Sequence, residues 1–146
     1  MNGQLLEFVK AIKVSNGASA GTTAVNGTAV DMTQDGGYDG IAFLADLGTV
    51  ADGSVLTLTP QQGEASDGSD AVAISGAATS AVTASTSSNK LIQTDTIRPT
   101  GTYVRAQLTR TAQNATVNTI IALLYRARKA PVPVDTSVLA SAIARA

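Results

Sequence analysis

The chain has 146 residues, of which 44% are hydrophobic and 14% charged, with a formal net charge of −1. That length fits one domain, and a charge content well below the roughly 25% of an average soluble domain implies a surface that other protein covers. The absence of His, Cys and Trp excludes a Ser-His-Asp triad or imidazole base, ordinary zinc, haem and iron–sulfur sites, and any disulfide.

The first residues lack the basic start and apolar run of a signal peptide. No window approaches the roughly 18 apolar residues of a membrane helix. Residues 4–14 place Leu5, Phe8, Val9 and Ile12 at i, i+3, i+4 and i+7, one apolar stripe of a short helix. Residues 15–24 are rich in Gly, Ser, Ala and Thr. Residues 1–20 therefore read as an N-terminal arm, a short helix on a soft linker. A helix of this length is marginal alone in water, so its stripe is expected to dock on another chain.

From about residue 22 the texture becomes β. Thr22–Val25 and Thr28–Met32 flank Asn26-Gly27, the strongest short hairpin signal in the chain. Further short runs follow at Gly40–Leu47, Ser54–Pro60, Ala71–Ser75 and Leu91–Arg98, separated by turn clusters at Gln34–Gly37, Ala51–Gly53, Gly63–Asp70 and Ser85–Asn89. Thr102–Arg110 alternates, with Tyr103, Arg105, Gln107 and Thr109 on one side and Val104, Ala106 and Leu108 on the other. Thr116–Arg126 is the longest apolar strand candidate, its β-branched residues favouring a strand over a buried helix. Tyr103, Val104, Leu108, Val117, Ile121 and Leu123 lie in the two strongest strand candidates, and their inward-facing members are expected to form the core. Short strands with turn chemistry between them indicate an antiparallel sandwich or barrel over residues 21–130. Pro131 and Pro133 then suit an extended connector, opening a C-terminal tail, residues 131–146. Within it Val138, Leu139, Ala142 and Ile143 have helical spacing, with Asp135 or Thr136 as N-cap.

No motif carries chemistry. Asp67-Gly-Ser-Asp70, with Glu64 nearby, lacks the ligand spacing of an EF-hand and reads as an Asx-type turn. Asp35-Gly-Gly-Tyr-Asp-Gly40 is neither a dinucleotide fingerprint nor a P-loop. The scattered carboxylates offer no glycosidase pair, and aromatic platforms for sugar are lacking. Asn26-Gly-Thr28 and Asn114-Ala-Thr116 match glycosylation sequons without an export signal beside them. The expectation is a protein that is not an enzyme and takes no cofactor, metal, nucleic acid, membrane or small-molecule substrate.

Charge is unevenly distributed. Residues 14–89 carry eight acids and no Lys or Arg, whereas residues 90–146 carry eight bases and two acids. The halves either pair within the chain or present complementary faces to neighbours. Arg126, Arg128 and Lys129 form a basic cluster where the last strand gives way to the prolines, and this cluster is expected to meet acids on a neighbour.

Gly36-Gly-Tyr-Asp-Gly-Ile-Ala-Phe43, Asp52-Gly-Ser-Val-Leu-Thr-Leu58, Gln61-Gln-Gly63, Asp67-Gly-Ser-Asp-Ala-Val72, Ile97-Arg-Pro99 and Tyr103–Arg110 together resemble the cement or decoration proteins on the heads of tailed phages, over about residues 30–132. The resemblance is one of texture. It implies a jelly-roll-like β-sandwich, oligomeric on the capsid exterior after synthesis in the host cytoplasm, with arms reaching over the major capsid protein. A dimer is expected before a trimer, two-fold contacts being the commonest closure. A tail or fibre subunit, or a cellular β-sandwich module binding carbohydrate or protein, shares the same texture.

Overall fold

The computed structural model describes residues 4–83, 87–142 and 144. It is an all-β sandwich of two antiparallel sheets. The first sheet contains β1 (Lys10–Ser15), β2 (Ala18–Gly21), β5 (Tyr38–Val50), β9 (Leu91–Ile97) and β11 (Ala115–Ala127) in the order β1-β11-β5-β9, with β2 also on β11. The second contains β3 (Val25–Asn26), β4 (Val30–Asp31), β6 (Val55–Gly63), β7 (Val72–Ala73), β8 (Val82–Thr83) and β10 (Tyr103–Thr111) in the order β3-β10-β6-β7, with β4 on β10 and β8 on β6.

Period-2 patterning builds both layers. In β10, Val104, Ala106, Leu108 and Arg110 point inward and are buried, while Tyr103, Arg105, Gln107 and Thr109 are partly exposed. Facing them, β5 contributes Ile41, Phe43, Ala45 and Leu47, and β11 contributes Val117, Ile120, Ala122 and Leu124. A register shift between Val117 and Thr119 puts Ile120 rather than Ile121 on the inner face, since one inserted residue flips the alternation beyond it. Of the six candidates in these two strands, Val104, Leu108 and Val117 are therefore the inward-facing, buried members, and Tyr103, Ile121 and Leu123 lie on outer faces.

The long strands alternate between sheets in chain order, so the turns joining β5 to β6, β9 to β10 and β10 to β11 are arches across the core. The β5–β6 arch turns at Gly53, whose φ of +81° suits glycine. Asn26-Gly27 is not a hairpin. Strands β3 and β4 both pair with β10, and Gly27 bridges them where a Cβ would come within 3.1 Å of the Val14 side chain. Its N–H donates to Ala106 O, while the Thr28 N–H donates to Val14 O in the other sheet. The glycine serves a close approach between layers, which the dipeptide alone does not distinguish from a turn.

The expected N-terminal helix is mostly strand. Only α1 (Leu5–Phe8) is helical, and Lys10–Ser15 pairs with β11. Lys10, Ile12 and Val14 alternate as well as they satisfy a helix, and a ladder against β11 satisfies backbone groups that so short a helix leaves open. The sandwich thus reaches back to Lys10, into the expected arm. Residues 131–142 form no helix. Asp135 instead accepts hydrogen bonds from the Ser137 N–H and hydroxyl. Ile143 lies outside the described residues.

Candidate functional site

The sandwich has two ends and a seam, and they treat charge differently. At one end, beside the β5–β6 arch, β2 with the segment that follows it to residue 24 and the β10–β11 arch converge on Arg110. It is 4% exposed, and its guanidinium donates to Thr23 O at 2.7 Å, Ser19 O at 2.8 Å and Ala115 O. No acid is within ion-pair distance among the described residues, and burial lowers its pKa. Three carbonyl dipoles take the place of a counter-ion, fastening the loop to the strand end. Nearby, the buried Ser54 hydroxyl donates to Gln113 O, and the Ala51 N–H to Asn114 O, tying one arch to the other.

At the opposite end lies an open cleft of about 460 Å³, lined by Met32, Tyr38, Asp39, Arg98, Thr102 and Arg128 among others. The register that sets Ala127 opposite Tyr38 brings Arg128 to Asp39. Nε and Nη2 of Arg128 donate to the same Asp39 oxygen at 3.1 and 2.7 Å. That hydrogen bond, with the charges of Arg128, Arg126 and Arg98, lowers the Asp39 pKa. Of the basic cluster, Arg128 pairs inside its own chain. Arg126 and Lys129 are exposed and without ion pairs among the described residues.

The seam is where the N- and C-terminal segments meet. The tail runs along the free edge of β1. The Val132 N–H donates to Glu7 O and the Lys13 N–H to Ser137 Oγ, while the Gln4 side chain donates to Ala144 O. Lys10, 7% exposed, is clamped beneath. Its ammonium sits 2.9 Å from Asp35 Oδ2 and Gln34 Oε1 and 3.7 Å from Asp135 Oδ2. Burial works to raise the Asp135 pKa, but Ser137 and Lys10 outweigh it and the net shift is downward. Of the expected stripe, Phe8, Val9 and Ile12 are half-buried against this seam and only Leu5 is well exposed, at 64%.

The acidic turn is a turn. Asp67 accepts from the Ser69 N–H, and Asp70 from the Glu64 and Ala65 N–H groups; these bonds lower both carboxyl pKa values.

One surface was not anticipated. The outer face of the first sheet is apolar at its centre, where Ile121 lies opposite Leu44 and Leu123 opposite Ala42. A shallow groove of about 440 Å³ beside them is lined by Ala42, Leu44, Gln93, Asp95 and Leu123. Burial and the Asp95 carboxylate, which accepts from the Tyr125 hydroxyl, push the Tyr125 phenol up to about 12. The sequence signal was an apolar run in residues 120–125 without alternation, the pattern of a strand covered on both faces. Neither a scan of protein-family models nor a search of curated proteins finds a match to this chain.

Proposed function

We propose that the chain is a non-enzymatic virion protein that binds the outside of a phage head and stabilises contacts between major capsid proteins. The observation that carries this reading is the first sheet, apolar on its inner face and half-buried and apolar at the centre of its outer face. Ile121, Leu123, Leu44 and Ala42 form an outer patch on a molecule with few charges to keep it apart from others. Such a patch contributes on the order of 25 cal/mol per Å² of apolar surface it buries, less the cost of association, and repetition over a shell converts modest affinity into avidity. The exposed Leu5 and the cluster of Arg126 and Lys129 supply further contacts at the margin. The phage assignment, like the jelly-roll topology expected with it, comes from the resemblance in texture over residues 30–132.

The test is stoichiometry and rebinding on purified particles. Copies matching the number of capsomers, lost on Leu44→Asp/Leu123→Asp while the urea midpoint holds, support the reading. A handful of copies per particle points to a tail or fibre subunit instead. Absence from particles, with glycan binding, points to a cellular module.

A further inference from the structure

The four sheet edges are not treated alike. An open edge is a template for another strand, and proteins blunt it with short strands, covers or charges. In the second sheet both edges are broken into two-residue pieces, β3 and β4 on one side and β7 and β8 on the other. In the first sheet the tail lies beside β1 and caps the Lys13 N–H with Ser137 Oγ, and β2, beside β1 on β11, is only four residues long. The last edge, β9, is seven continuous residues, Leu91–Ile97, with no Pro, Gly or Lys inside it and no bulge in its register with β5.

Its free backbone groups can be assigned. The Leu47 N–H donates to Lys90 O and the Arg98 N–H to Asp39 O, so even-numbered residues bond to β5. In an antiparallel ladder the alternate residues then aim outward: Leu91, Gln93, Asp95 and Ile97 present N–H and C=O groups with no partner among the described residues. Leu91 and Ile97 are also 58% and 53% exposed. On the inner face, the Thr94 and Thr96 hydroxyls are buried and without partners.

We infer that β9 pairs antiparallel with β9 of a second copy across a two-fold axis at Thr94, joining two first sheets into one. The sequence Leu-Ile-Gln-Thr-Asp-Thr-Ile matches itself in that register. Leu91 meets Ile97 of the second copy and Gln93 meets Asp95, both as hydrogen-bonded pairs formed from the outward-aimed groups. Apolar thus covers apolar, and an amide donor meets a carboxylate. Thr94 meets its own copy in a non-hydrogen-bonded pair, where side chains approach closest, giving the buried hydroxyl a partner. Moving the axis by one residue to Asp95 would set two carboxylates face to face. Lys90 and Arg98 fall just outside the paired stretch, Arg98 turning off with φ 54°. The buried area is that of a single strand pair, below a standard interface, so association is weak. The inference needs only the chain itself and is independent of any capsid role.

Sedimentation velocity on the full chain from about 10 µM to about 1 mM tests it, because weak edge pairing falls in that range. Wild type should shift from monomer to dimer. Gln93→Glu places a carboxylate opposite Asp95 twice per dimer and should weaken association about tenfold, whereas Gln93→Lys, of similar length, should preserve or strengthen it. Gln93 is exposed, and an unchanged urea midpoint for both variants confirms that each folds. A monomeric wild type at about 1 mM overturns the inference. So does a dimer that Gln93→Glu and Gln93→Lys affect equally, which would place the interface elsewhere.

Discussion

Arg110 and Arg128 sit at opposite ends of the same sandwich and do opposite things. Arg110 is sealed beneath residues 19–23 and the start of β11, with three carbonyls around it. Arg128 lies in solvent against one carboxylate. The pair with formal opposite charges contributes less, because water and salt screen an exposed ion pair and side-chain entropy offsets it. The buried cation without a counter-ion is the structural one. Its guanidinium ties residues 19–23 to the start of β11, and removing it orphans the fully buried Ala115 carbonyl and frees the segment held over the strand end.

The largest effect belongs to Arg110→Ala, expected to cost about 3–5 kcal/mol in urea unfolding. Arg110→Lys should recover little, since a point ammonium cannot serve three separated carbonyls. Leu108→Ala, one pleat away on the same inner face, sets the scale for a purely apolar loss at about 3 kcal/mol. Ile121→Ala, on the outer face, should cost roughly 1 kcal/mol in the isolated chain. If Arg110→Ala falls below the Ile121 value, the carbonyl cage is not holding that end.

The seam lies between the two extremes. The Asp135 pKa is lowered in the folded chain, so its contribution is complete above the unfolded value of about 3.9 and is lost as pH falls through the folded value. Limited proteolysis of residues 131–142 should accelerate on acidification through that window, and Asp135→Asn should show the faster cleavage already at pH 7. Equal protection at both pH values would remove the Lys10–Asp135 contact from the account. The smallest effect belongs to Arg128→Ala, whose urea midpoint should match wild type within error. A clear loss there would erase the contrast between the two ends.

How much of this was legible in the sequence depends on the element. The strand at 103–111 could be read because strict alternation has one interpretation. The strand at 115–127 could be read for its β-branched content, but its inner face could not. A register shift near Asn118 leaves no mark in composition, and it moved Ile121 and Leu123 outward. Lys10–Ser15 satisfied two periods at once, and tertiary pairing chose the strand. The Asp39 partner of Arg128 depended on a strand register that local spacing does not encode. Arg110 escaped notice because a charged residue closing an alternating strand looks like the start of a loop. Only the Ser19–Thr23 segment folded over it reveals a buried position.

The order of strands in the first sheet has a consequence for how the protein is made. Strand β11 lies between β1 and β5, so the first and fifth strands have no common neighbour until residues 115–127 leave the ribosome. The arches likewise join distant positions across the core, a high-contact-order arrangement that folds slowly. The first sheet must therefore wait, with the facing edges of β1 and β5 unpaired, for the last long strand to be inserted between them. A nascent chain arrested before Ala115 should remain protease-sensitive and chaperone-bound, and release of about a dozen further residues should convert it in a single step.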